Sequence, residues 1–141
     1  MERSIILAPS HTFLEHTGEM HLRVRARSLP ELLAEAGRAL TGLLLRDARG
    51  DAVGLWAPVE VRSTDRAALL VDWLNELIYR AESALEVPTE FDVQEVGDNS
   101  VRARVRGVPV GSAPLVKAAT LHGARVEAVE GGFEGDVILD V

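Results

Sequence analysis

Leu22-Arg23-Val24-Arg25-Ala26-Arg27-Ser28-Leu29-Pro30-Glu31-Leu32-Leu33 changes its hydrophobic period partway along. Up to Arg27, apolar and basic residues alternate, the period of a strand with one buried face. From Leu29 the apolar positions Leu29, Leu32, Leu33, Ala36, Leu40, Leu43 and Leu44 fall on one side of a helix, predicted over residues 29 to 45. Ser28 followed by Glu31 is a capping-box pattern, and Pro30 suits the first turn because its missing N–H would be unpaired there. A strand feeding directly into an amphipathic helix sets the theme for the rest of the chain.

Further along, Leu70, Trp73, Leu74, Leu77, Ile78 and Ala81 define the inner side of a second helix, predicted over residues 65 to 84, with Thr64-Asp65 as its cap. Asp72 and Glu76 share its outer face. The remainder alternates with period two, as in Val101, Ala103 and Val105 against Arg102, Arg104 and Arg106. One hairpin is predicted around Gly97-Asp98-Asn99 and another around Glu130-Gly131-Gly132, and Val59 and Val61 mark a further strand. Leu115 to Leu121 is apolar on both sides except at Lys117 and Thr120, the pattern of a central strand in which the lysine would be partly desolvated. The expected architecture is a single α+β domain over residues 1–141, a two-layer sandwich with two helices packed on one face of a mostly antiparallel sheet. The other face should be polar, its arginine rows paired across strands with Glu60, Asp92, Gln94 and Glu127.

A length of 141 residues suffices for one self-sufficient core. The absence of cysteine excludes disulfides, thiolate nucleophiles and cysteine-ligated metal centres, and the short Ile5-Ile6-Leu7 run is no signal or membrane segment, so a cytoplasmic protein is expected. A net charge of −7 repels a polyanion, which argues against direct nucleic-acid binding and favours a cation or a protein surface. Arg49-Gly50-Asp51 reads as a turn.

No phosphate loop, nucleophile elbow or helical metal-ligand pair appears. His11, His16 and His21 lie five apart, a spacing that fits neither one helix face nor one strand face. The carboxylates are more informative. Glu15-His16-Thr17-Gly18-Glu19 opens the first paired strand, while Leu139-Asp140-Val141 closes the last. If the two meet, Glu19, Asp140 and the α-carboxylate of Val141 make a hard-oxygen set suited to Ca²⁺, Mg²⁺ or Mn²⁺. Lys117 is the only lysine among 15 basic residues, and its compact ammonium does what a guanidinium cannot.

Four segments together resemble the archease family, whose members typically carry Leu-Asp-His-Thr-Ala-Asp-Ile near the N-terminus and end in Asp-Ile or Asp-Val. They are Leu14-Glu15-His16-Thr17-Gly18-Glu19-Met20, the helix Leu69-Leu70-Val71-Asp72-Trp73-Leu74-Asn75-Glu76-Leu77-Ile78-Tyr79, the segment Val116-Lys117-Ala118-Ala119-Thr120-Leu121-His122, and Leu139-Asp140-Val141. The resemblance implies an accessory factor rather than a catalyst. Archeases activate the GTP- and Mn²⁺-dependent tRNA-splicing ligase that joins a 2′,3′-cyclic-phosphate or 3′-phosphate RNA end to a 5′-hydroxyl, by promoting guanylylation of the ligase histidine and multiple turnover. The ligase would be the protein partner, with GTP and RNA reached only through it. The resemblance further implies a divalent cation, calcium in the family, at Glu19, Asp140 and Val141. Lys117 would be the functional basic residue beside them, and His16, Asp72 and His122 supporting positions.

Glu19 stands where the family has aspartate, Gly18 where it has alanine and Leu121 where it has tyrosine. The longer carboxylate suits the flexible coordination of Ca²⁺ better than that of Mg²⁺. Two other classes fit the residues. One is a metal-dependent hydrolase or phosphoesterase with Glu19 and Asp140 on the ion and Lys117 or His122 at the leaving oxygen. The other is a passive chaperone-like module using Arg102, Arg104 and Arg106.

Overall fold

The computed structural model describes residues 7–16, 18–45, 54–110 and 116–141. Strands β1 (Ser10–His16) and β2 (Glu19–Ala26) precede helix α1 (Leu29–Leu45); β3 (Ala57–Arg62) precedes helix α2 (Arg66–Ala84); four strands follow, β4 (Glu86–Val96), β5 (Ser100–Pro109), β6 (Ala118–Val129) and β7 (Gly132–Asp140). The α+β class, the bounds of both helices and both predicted hairpins hold. Arg49-Gly50-Asp51 lies outside the described residues.

The strands form two antiparallel sheets where one was expected. A four-stranded sheet has the order β1-β2-β7-β6, and a three-stranded sheet the order β3-β5-β4. Each helix touches both sheets, and one continuous core joins them, including Leu22 and Val24 of β2, Leu40 of α1, Trp73 and Leu77 of α2, Val105 of β5 and Leu139 of β7. No sequence periodicity separates one sheet from two, since each strand carries the same alternation in either case.

Strand β1 is the element the sequence reading lacks. Glu15 and His16 do not open the first paired strand but close β1, and Glu19 opens β2: His16 stands opposite Glu19 and Ser10 opposite Arg25. Gly18 carries φ 74, a conformation that a side chain at this position would strain.

Both helix starts are built as their sequences direct. The Ser28 hydroxyl accepts the Glu31 N–H at 3.3 Å, although the Glu31 carboxylate turns to Arg27 at 2.8 Å rather than back to the cap. The Asp65 carboxylate accepts the Ala68 N–H at 2.8 Å. Among the described residues no helix is long and apolar enough to cross a membrane.

The outer sheet faces are laced by ion pairs, as the alternation implies. On the smaller sheet Arg102 meets Glu95, Arg104 meets Asp92 and Arg106 meets Glu90, and the last two guanidiniums lie 4.7 and 4.6 Å from the Trp56 ring centroid. This satisfies the arginine row locally.

Candidate functional site

Period two along β2 puts Glu19, His21, Arg23 and Arg25 on one face, because Leu22, Val24 and Ala26 are all buried on the other. The same rule on β7 sends Glu134, Asp136, Ile138 and Asp140 outward against buried Val137 and Leu139. The register then sets Glu19 directly opposite Asp140, and Asp140 opposite Ala118 on its other side. Main-chain bonds stitch this end of the sheet: the Lys117 N–H donates to the Asp140 carbonyl at 2.8 Å, and the Val141 N–H donates to the Gly18 carbonyl at 3.2 Å. Glu19, Lys117, Asp140 and Val141, some 120 residues apart in sequence at the extremes, therefore share one tip.

The supporting positions divide. His16 belongs to the tip through its backbone pairing with Glu19. His122 is exposed within the register shift between Thr120 and Arg125. Asp72 has another partner, its carboxylate accepting the Ser63 hydroxyl at 2.7 Å at the start of α2.

Lys117 departs from expectation. β6 is an edge strand, it begins at Ala118, and the lysine just ahead of it is exposed rather than desolvated. The apolar run around it arises because Val116 and Ala119 point at the core, while the free side of the edge is covered by α2 instead of a further strand. Asn75 does this. Its side-chain amide donates to the Ala119 carbonyl at 3.0 Å and its carbonyl accepts the Ala119 N–H at 2.8 Å, so the side chain imitates a neighbouring strand. The sequence reading did not single out Asn75, and no local signal identifies it beyond a polar residue on the inner half of an otherwise apolar helix stretch.

Histidines lie on both sides of the sheet, as their spacing implies. His11 Nδ1 lies 2.6 Å from Glu35 of α1, whereas His21 Nε2 lies 3.4 Å from the Glu19 carboxylate on the outer face.

At the tip, the Glu19 side chain is about half exposed and Asp140 is partly exposed. Among the described residues no arginine or lysine pairs with either, and no three His, Cys, Asp or Glu side chains gather to hold a metal. Two accessible carboxylates on adjacent strands suit a hard divalent ion in kind. In number they suit one that takes its other ligands from water, main chain or substrate phosphates, as Mg²⁺ commonly does.

Farther along the same face the charges close on themselves. Asp136 lies between Arg23, at 2.8 Å, and Arg125; Glu134 lies between Arg25, at 2.6 Å, and Arg125; and Arg125 also meets Glu127. Burial is the largest influence on Asp136 and opposes its ionisation, but the hydrogen bonds and the charges of Arg23 and Arg125 together outweigh it and hold the carboxyl below its ordinary value. The Arg125 hydrogen bond does the same for Glu134 against its burial, with help from Arg25. These groups are spent on one another, while the tip carboxylates are not.

Residues 11–141 match the model of the Archease protein family (MTH1598/TM1083). The chain belongs to the archease family. A protein archease of Methanopyrus kandleri is 33% identical over 138 residues, covering 91% of this chain and 96% of that one. Among solved structures, the solution structure of Methanobacterium thermoautotrophicum protein 1598 superposes with a TM-score of 0.73 at 23% identity, covering 93% of this chain and 98% of the other. The crystal structure of a Thermotoga maritima archease described as a possible chaperone gives 0.64 at 20% identity, with 91% and 94% covered. At these identities the structures establish the archease fold, in which the tip occupies the end of the four-stranded sheet.

Proposed function

We propose that this archease is a non-catalytic cytoplasmic accessory protein that activates the GTP- and Mn²⁺-dependent tRNA-splicing ligase by promoting guanylylation of the ligase histidine, thereby sustaining multiple turnover. The observation that carries the proposal is the register that sets Glu19 against Asp140 next to Lys117, in a chain whose family match spans residues 11–141.

Guanylylation brings a nucleophile to a triphosphate, so its barrier is dominated by repulsion among phosphate charges and by alignment. A divalent ion, Ca²⁺, Mg²⁺ or Mn²⁺, held by Glu19, Asp140 and Val141 would supply positive charge toward those phosphates. What this chain contributes is the mounting. Asp140 is fixed in the middle of three strands by pairing on both sides, and the Gly18 carbonyl bond to Val141 keeps Val141 beside the turn. The exposed Lys117 ammonium is free to donate to a phosphate oxygen or to the Asp140 carboxylate. The overall charge of −7 keeps RNA and GTP from binding here by themselves, so both arrive through the ligase.

Purified chain is incubated alone with Mn²⁺ and a panel of phosphoesters, then with ligase, GTP, Mn²⁺ and broken tRNA. Activation of multiple-turnover joining in the second assay with no turnover in the first is the expected outcome. Asp140→Ala and Lys117→Ala should each remove at least nine-tenths of the stimulation while leaving the thermal midpoint within a few degrees of wild type, since both side chains are partly or fully exposed. Phosphoester turnover by the chain alone would establish a hydrolase instead.

A further inference from the structure

Four cross-strand rows make up the outer face of the four-stranded sheet, and they differ in kind. The outermost is the tip row with Glu19 and Asp140. The next aligns Leu14, His21, Ile138 and Thr120, with no acidic or basic residue except the histidine. The third and fourth hold Arg23, Asp136 and Arg125, then Arg25, Glu134 and Glu127, and neutralise themselves. An inert half therefore adjoins a half that is uncharged beside an acidic edge.

The uncharged row is also concave. A hollow of about 370 Å³ opens there, lined by Thr12, Leu14, His21, Gly123 and Ile138 and walled on its far side by Arg23 and Asp136. Leu14 is 67% exposed on the edge strand β1. Gly123, with φ 74 in the irregular part of β6, lines the hollow beside the Ile138 side chain.

We infer that the Leu14–His21–Ile138 row and its hollow are the surface on which the ligase seats the tip, receiving an apolar side chain from the rim of the ligase's catalytic cleft. The inference rests on the proposed function and names the docking surface for it. Two residues along a strand span about 7 Å, so whatever engages Glu19 and Asp140 also covers the hollow. A specific interface needs about 800 Å² on each partner, far more than two carboxylates provide. Among the described residues this row places apolar area on the outer face next to the tip, whereas the rows beyond are occupied by their own ion pairs. The acidic edge complements the cation-bearing mouth of a Mn²⁺-dependent enzyme and orients the approach, while the apolar contact supplies residence.

Binding of the chain to immobilised ligase and the concentration giving half-maximal stimulation of ligation are measured for wild type, Leu14→Glu, Leu14→Ala, Ser10→Glu and Asp140→Ala. Leu14→Glu should weaken binding and raise the half-maximal concentration at least tenfold, and Leu14→Ala several-fold, with the stimulation reached at saturation unchanged. Ser10→Glu, at the inert end of the same strand, should match wild type, and Asp140→Ala should lose maximal stimulation more than binding. Wild-type affinity in both Leu14 variants, with ordinary stimulation by wild type, overturns the docking surface alone. Failure of wild-type chain to bind or stimulate the ligase overturns the functional reading as well.

Discussion

Asp136 and Glu134 show how a single carboxylate can be stabilising without being functional. Both are held below their ordinary pKa, Asp136 against its own burial by Arg23 and Arg125, and Glu134 by Arg125 and Arg25. A carboxylate depressed in this way stays ionised when the folded chain reaches a pH at which the unfolded chain is already protonated. Its contribution is complete above the ordinary value, near 3.8 for Asp136 and 4.5 for Glu134, and is lost as pH falls through the lowered folded values. Asp136→Asn should thus lower the thermal midpoint at neutral pH yet narrow its gap from wild type below about pH 4, as thermal melts across that range would record. An equal gap at neutral pH and at about pH 2 would show that the pair is not ionic in effect. At this scale the juxtaposition of the candidate residues was legible: the acids around Glu19, the Asp140-Val141 pair and a lone lysine, Lys117, stand out, and the backbone brings them together. Asn75 and the exposure of Lys117 were not legible, because both depend on β6 being an edge, which no residue in its own sequence records.

The helices carry their own tests of packing. Gly37 in α1 lies under Phe91 of β4, where a Cβ would stand 2.7 Å from the ring, and that ring packs edge-on against Trp73 at 6.3 Å between centroids. Gly37→Ala gains about 1 kcal/mol of helix propensity but overpacks by about 1–3 kcal/mol, so the net effect should be a loss of stability in denaturant unfolding. In a Phe91→Leu background the same substitution should turn stabilising, and a loss there too would place the obstruction elsewhere. Leu85 ends α2 at φ 51, left-handed backbone for a partly exposed leucine. Leu85→Gly should raise stability by about 1 kcal/mol, readable as a rise of a few degrees in the thermal midpoint. Helices and hairpins were readable because each is written locally, in a cap, a period or a glycine turn. The strand from Ser10 to His16 escaped notice since its alternation is weak, with Thr12 and Leu14 exposed and His11 turned inward to Glu35. The division into two sheets is a property of which strands meet, and β2 and β7 pair across more than 100 residues of sequence.

On the scale of the whole molecule, the fold places self-paired charges and accessible carboxylates at different ends of one sheet. The core shared by both helices and both sheets holds the strands in register, the ionic rows close the solvent face of the middle, and among the described residues the tip carboxylates, where β2 and β7 meet, have no arginine or lysine partner. A net charge of −7 gives the whole molecule the sign of the tip and opposes the approach of a polyanion. The most direct test is the rate of ligase guanylylation with GTP and Mn²⁺, followed in a single turnover with and without added chain, using wild type and Asp140→Ala. Wild type should accelerate formation of the guanylylated ligase at least tenfold while folded Asp140→Ala leaves it near the unassisted rate; equal acceleration by the two would contradict a role for the tip.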